Sequence, residues 1–279
     1  MRIGGAVIGA WEHPAEWAHA VRAEGYSAAF CPIGDDADDA TVQAYARAAR
    51  RADILIAEVG AWGNNPISPD ERVRRAGIEG CCSRLALADR IGAACCVNVS
   101  GSRGDDWASP HPDNLTEDTF DLIVASVREI IDTVQPKRTY YTLEPMPWAY
   151  PDSPRSYARL IKAIDRERFG AHLDPVNMVS SPHLHYRTTA LVNECFRLLG
   201  PHIRSCHAKD IVLRGTLTVH LDEVRPGLGN LDYRAYLRGL GQLSDDIPLM
   251  IEHLTDPEQF RAAAAYIRNM AQVEGVTVK

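Results

Sequence analysis

Short apolar runs rich in β-branched and aromatic residues alternate along the chain with longer segments whose apolar residues recur at helical spacing. The alternation repeats about eight times with no Gly/Ser/Pro-rich linker between units. The first units read as a strand near 3–9 and a helix near 14–24 ended by Gly25, then a strand over 27–32 and an alanine-rich helix over 41–51. A strand over 54–59 contains Glu58 and runs into a loop with Trp62, Asn64 and Asn65. Ser68-Pro69-Asp70-Glu71 then signals the start of a helix reaching about Ile91. A strand over 94–100 leads through a polar loop to a helix over 116–134, on which the apolar residues Phe120, Ile123, Val124, Val127, Ile130 and Ile131 recur at helical spacing. The fifth strand ends at Glu144, the sixth at Asp174 and the eighth at Glu252, and the seventh contains His207. Helices are expected from Ser153-Pro154, over 188–199, over 231–240 and over 257–273, with a long loop carrying Gly227-x-Gly229 after the seventh strand.

Eight strand-helix units fit a single α/β domain over 1–279, a closed parallel (β/α)8 TIM barrel, better than an open doubly wound sheet. The first strand-helix loop lacks the G-x-G-x-x-G dinucleotide fingerprint, which points the same way. Composition changes this picture little, since 46% hydrophobic and 24% charged residues are ordinary for a globular chain. A formal net charge of -7 argues against a nucleic-acid or anionic-membrane partner, because such surfaces are normally basic. The seven cysteines are odd in number, include the adjacent pairs Cys81-Cys82 and Cys95-Cys96, and form no C-x-x-C. They fit a reducing compartment, and the expectation is a cytoplasmic protein without signal peptide or membrane span. A homo-oligomer is compatible with all of this.

The candidate chemistry lies at the C-terminal ends of the last four strands, the end of such a barrel that carries active sites. Thr142 shares a strand face with Glu144, His172 with Asp174, Ser205 with His207, and Met250 with Glu252, so one parity turns all four polar groups inward. A lone carboxylate here would be an ordinary start of a solvated loop. Three carboxylates and an imidazole at equivalent positions would repel one another in a partly dry cavity unless a cation joined them. Glu144, Asp174, His207 and Glu252 are therefore the expected ligands of one divalent metal ion. The oxygen-rich donor set favours Mn²⁺, with Mg²⁺, Co²⁺ and Zn²⁺ compatible. Lys209, in register with His207, Arg225 beside the Gly-x-Gly turn, Glu58, and Trp148 in the loop after Glu144 are expected to meet the substrate. Trp62 and Trp107 fall in loops on the same side and suit the faces of a sugar or an aromatic aglycone. His172 reads as a core-edge histidine bonded to a ligand carboxylate.

These residues resemble the xylose isomerase-like TIM barrels, a broad group of sugar isomerases, epimerases and dehydratases that includes tagatose 3-epimerase-type enzymes and inosose dehydratases. The resemblance spans essentially the whole chain and rests on Glu144, on Leu173-Asp174-Pro175-Val176-Asn177, on His207-Ala208-Lys209-Asp210, on Arg225-Pro226-Gly227-Leu228-Gly229 and on Glu252. It implies a metal held by the four ligands and proton exchange with a substrate carbon by Glu144 and Glu252. Where the epimerases carry a substrate-contacting histidine three residues after the aspartate, this chain has Asn177, which keeps hydrogen bonding but not charge. The implied partner is a small sugar or keto-sugar. The implied activity is isomerisation or epimerisation by proton abstraction next to a carbonyl, through a metal-stabilised enediolate. The alternative is a lyase or dehydratase on an oxidised sugar, of the inosose dehydratase or 3-oxo-glycoside aglycone-eliminating type. A nuclease of the same barrel type would need further metal-ligating histidines on early strands and a basic groove, neither of which is legible here.

Overall fold

The computed structural model describes residues 1–279. Its strands are β1 (Arg2–Gly5), β2 (Ala28–Phe30), β3 (Leu55–Gly60), β4 (Cys95–Asn98), β5 (Tyr140–Leu143), β6 (Phe169–Leu173), β7 (Ile203–Ala208), β8 (Asp210–Arg214), β9 (His220–Val224) and β10 (Pro248–Ile251). All but β8 and β9 are parallel and close a barrel in the order β1-β10-β7-β6-β5-β4-β3-β2, as expected for a (β/α)8 chain.

The helices are α1 (Pro14–Ala23), α2 (Asp39–Arg51), α3 (Glu71–Ile91), α4 (Glu117–Val134), α5 (Pro154–Ile164), the single turn α6 (Pro182–His185), α7 (Thr188–Leu199), α8 (Tyr233–Leu240) and α9 (Pro257–Glu274). Their starts follow local chemistry. Asp38, Asp70, Thr116, Ser153, Asp232 and Asp256 each accept a backbone N–H of the first turn, while Gly92 and Gly275 take the left-handed conformation that ends α3 and α9. The cap of α3 is Asp70, two residues beyond Ser68.

The main core is a cluster of 62 buried residues contributed by strands and helices alike. Ala28, Ala57 and Met250 form a separate small apolar cluster. Met250 shares a strand face with Glu252, so this cluster plugs the barrel beneath the polar end. A Cβ on Gly4 would fall 2.6 Å from Met250 Sδ and 2.5 Å from the Ala28 carbonyl oxygen, which is why β1 carries glycine there.

Two departures from the sequence reading bear on the site. Strand β1 stops at Gly5, where its pairing with Ile251 ends, rather than at Gly9. The expected long loop after β7 contains the antiparallel hairpin β8–β9, in which Ile211 faces Glu223 and Leu213 faces Leu221. Its strands pair outside the barrel, and the Gly/Pro signal at 226–229 follows the hairpin instead of forming its turn.

Candidate metal centre and its cavity

Glu144 and Asp174 each follow the last residue of their strands, β5 and β6. His207 is the penultimate residue of β7, and Glu252 follows β10. These four strands are consecutive around the barrel. Helix tyrosines pin their ends. Tyr157 of α5 donates to the Leu143 carbonyl and accepts from the His172 N–H at 2.9 Å, and on α8 Tyr236 donates to the His207 carbonyl at 2.9 Å and Tyr233 to the Lys209 carbonyl at 2.8 Å. Asp174 Oδ1 accepts the Val176 and Asn177 N–H groups at 3.0 and 3.2 Å, which fixes the carboxylate.

One donor atom from each of the four side chains lies within 4.8 Å of the others. His207 Nδ1 is 2.8 Å from Glu252 Oε1, 3.2 Å from Glu144 Oε1 and 3.7 Å from Asp174 Oδ2. A six-coordinate ion with bonds of about 2.1 Å sets adjacent donors about 3 Å apart, so the spacing suits a small divalent cation. Asp174 Oδ2 and Glu252 Oε1 are buried and accept no aligned hydrogen bond although Lys209 Nζ stands within ion-pair distance of both, so each keeps a lone pair that a cation could take. The residues present therefore fit a metal.

Lys209 Nζ enters the same group of charges, 2.5 Å from Glu252 Oε1, 2.9 Å from Asp174 Oδ2 and 3.3 Å from Glu144 Oε1. Burial alone would raise the Asp174 carboxyl, but Lys209 and His207 outweigh it and hold the group well below the usual carboxylate range. Burial would lower His207 and Lys209, yet the surrounding carboxylates push both well above their ordinary values.

Below this centre lies a second buried network. Glu58 is 1% exposed; Ser205 Oγ donates to its Oε1, His172 Nε2 lies 3.0 Å from the same oxygen, and His207 Nε2 lies 3.2 Å from Oε2. Burial would raise this carboxyl, but the two imidazoles and their hydrogen bonds dominate and hold it far below its ordinary value. The expectation that Glu58 touches substrate is thus corrected, because it has no open face toward the cavity. His172 bonds to Glu58 and not to one of the four expected ligands. A bulge is the physical reason. Ala29 pairs with Ile56 but Phe30 with Glu58, and the extra residue lets Ala57 join the apolar plug while the Glu58 side chain also meets groups of the barrel interior.

The sequence profile of the xylose isomerase-like TIM barrel matches residues 18–270, nearly the whole of this barrel. The chain belongs to that family. No curated protein matches it by sequence. Among solved structures, L-ribulose 3-epimerase is similar with a TM-score of 0.73, 16% identity, and 98% of this chain and 95% of that chain covered. The 3-keto-D-glucoside 4-epimerase of E. coli gives 0.67, 16%, 96% and 99%. Endonuclease IV from Thermus thermophilus gives 0.72, 14%, 98% and 100%. At such identities the likeness is one of fold, shared by sugar enzymes and a nuclease.

In this xylose isomerase-like barrel, a cavity of about 1050 Å³ opens above the four side chains, and twelve of its twenty lining residues are hydrophobic. Glu144 and Glu252 reach its wall, as do Asn177, Lys209 and Trp148. Asp174 and His207 are fully buried behind them. Asn177 Nδ2 donates to Glu144 Oε1 at 3.0 Å, and Lys209 Nζ lies 3.4 Å from Asn177 Oδ1. Arg225 is not on the wall and donates to the Pro226 carbonyl at 3.3 Å. Its loop is held from below by Asp210, whose carboxylate accepts the N–H groups of Ile211, Gly227, Gly229 and Leu231 at 2.8 to 3.0 Å. The structure thus sets Arg225 beside the cavity and not on its wall, while the Gly-x-Gly motif serves this staple. Sequence reasoning missed Glu223 and His253, which line the cavity and sit 3.1 Å apart. Glu223 belongs to the unforeseen hairpin, and His253 follows Glu252 with a positive φ of 55° that no local signal announces.

Proposed function

We propose that the chain is a divalent-cation-dependent isomerase or epimerase that moves a proton next to the carbonyl of a keto-sugar, with Mn²⁺ as the preferred ion. The observation that carries this reading is the division of labour among the four side chains. Two glutamates face the cavity from β5 and β10, and a fully buried aspartate and histidine stand behind them.

Glu144, Asp174, His207 and Glu252 would hold the cation, which would supply Lewis-acid polarisation of the substrate carbonyl. Glu144 and Glu252 are the groups that take and return the proton. Asn177 orients Glu144 through its 3.0 Å hydrogen bond. Lys209, the ammonium at the cavity floor, supplies a positive donor for a substrate oxygen, a part the uncharged Asn177 does not fill. Glu58 accepts the N–H of His207 Nε2 and so leaves Nδ1 free to face the ion, the usual carboxylate–histidine arrangement at metal sites. The E. coli structure, whose name specifies a 3-keto-glucoside, makes an oxidised glucoside a natural first substrate to try.

A test in D₂O with Mn²⁺ and a panel of ketoses, inososes and 3-oxo-glucosides reads the reaction directly. Deuterium is expected at the carbon next to the carbonyl with the skeleton retained, and Glu252→Gln is expected to lower turnover by at least about a hundredfold. Normal exchange in that variant removes the glutamate from the mechanism. The lyase reading shares the first step and is favoured by the apolar upper wall, where a leaving group would sit. Release of a free aglycone or appearance of an enone would replace the first reading with it.

A further inference from the structure

The upper wall of the cavity says what is attached to the sugar. Trp148 already donates its indole N–H to the Ala108 carbonyl at 2.9 Å, so its ring offers the cavity a flat apolar face. Trp62 and Trp107 stand with it, and Trp62 and Trp148 are 43% and 37% exposed. Opposite chemistry lies along one strand. Glu223 of β9 comes within 3.8 Å of Lys209 at the floor, Leu221 follows two residues earlier on the same face, and Val219, 57% exposed, lies just before the strand. The hairpin wall thus passes from charged to apolar away from the floor.

A free monosaccharide carries hydroxyls on nearly every carbon, and each one turned against this upper wall would lose its water without gaining a partner. The cavity, about 1050 Å³, is at the upper end of the range that takes drug-sized ligands, well beyond the needs of one sugar ring. We infer that the natural substrate is a glycoside whose sugar occupies the charged floor and whose flat aromatic aglycone stacks in a subsite made by Trp62, Trp107, Trp148, Leu221 and Val219. The inference rests on the reading of the floor as the reacting end. The hairpin then acts as a specificity element, placing the aglycone against the tryptophans.

The test is calorimetric titration of the Mn²⁺-loaded protein with methyl β-D-glucopyranoside and with 2-naphthyl β-D-glucopyranoside, which differ only in the aglycone. The naphthyl compound is expected to bind at least about tenfold more tightly, an increment that stacking and apolar burial readily supply. Trp62→Ala and Leu221→Ser are expected to abolish most of that difference while leaving methyl glucoside affinity within about twofold. Equal affinities, binding of neither compound, or an unchanged preference in both variants overturn the inference. A second copy of the chain is the competing occupant of this wall, since Leu217 at the hairpin tip is 96% exposed. Light scattering that shows an oligomer dissociated by Trp62→Ala or Leu221→Ser also overturns it. Mn²⁺ titration of the same samples separates the two readings. Loss of cation binding in the parent protein strikes the floor, whereas intact cation binding without aglycone preference strikes only the subsite.

Discussion

Glu58 and Lys209 are the two residues whose surroundings differ most from those of an ordinary strand-end side chain. Glu58 touches Ser205, His172 and His207 with no exposure to speak of, so its effect on a bound ion passes through His207. Glu58→Gln keeps the volume but loses the acceptor pair, and the dissociation constant for Mn²⁺ is expected to rise about 10- to 100-fold by calorimetry. An unchanged constant would show that His207 needs no such support. Lys209 is 2% exposed and lies within 3.3 Å of three carboxylates. Lys209→Met leaves those charges uncompensated, and the metal-free protein is expected to lose about 3–5 kcal/mol of stability to urea. Mn²⁺ should restore a larger part of the loss than it adds to the parent protein. Equal metal-free stabilities would mean that the ammonium contributes no net charge compensation. Both residues carry the right chemistry in the sequence, but whether a strand-end carboxylate faces solvent, substrate or two imidazoles is a question of neighbours on other strands.

Among the elements, the β8–β9 hairpin and the loop that follows it form the unit most dependent on one side chain. Asp210 collects four backbone N–H groups there, two of them from Gly227 and Gly229. A Cβ on Gly229 would collide with Asp210 Oδ1 and with the Ile211 backbone, so the close approach that builds the staple requires glycine there. Asp210→Ala leaves those donors without a partner at about 1–3 kcal/mol for each that stays buried, and the segment 211–229 is expected to loosen. Trypsin should then cleave after Arg214 in the native protein at least about tenfold faster than in the parent, and an unaltered rate would deny the staple its role. The barrel strands and long helices were legible because period and capping residues are local signals, as at Ser153-Pro154 and Thr116. The hairpin was not, because its pairs, such as Ile211 with Glu223, join short mixed runs without clean alternation, and the five-residue connection opening on Gly215 is a weaker signal than a two-residue turn.

For the whole molecule, closure of the barrel makes one compact site out of residues spread from Glu58 to Glu252, and it ties a bound ion to the stability of the fold. A site that exists only when the barrel is closed binds the native state alone, so Mn²⁺ at about a hundred times its dissociation constant should add about 2.7 kcal/mol. For a domain of this size that is a rise in melting temperature of about 5 °C, reversed by EDTA, and no shift with either reagent would deny the site a tight ion. The amino-acid order alone determined the alternation of strands and helices, the helix starts and the residue types at the ends of the last strands, because each is set by side-chain period and by capping a few residues away. Tertiary structure decided the rest. The bulge in β3, the reach of Glu58 to β6 and β7, the stapling of the Arg225 loop and the apolar upper wall all depend on register and on distances across the barrel, which no spacing along the chain encodes.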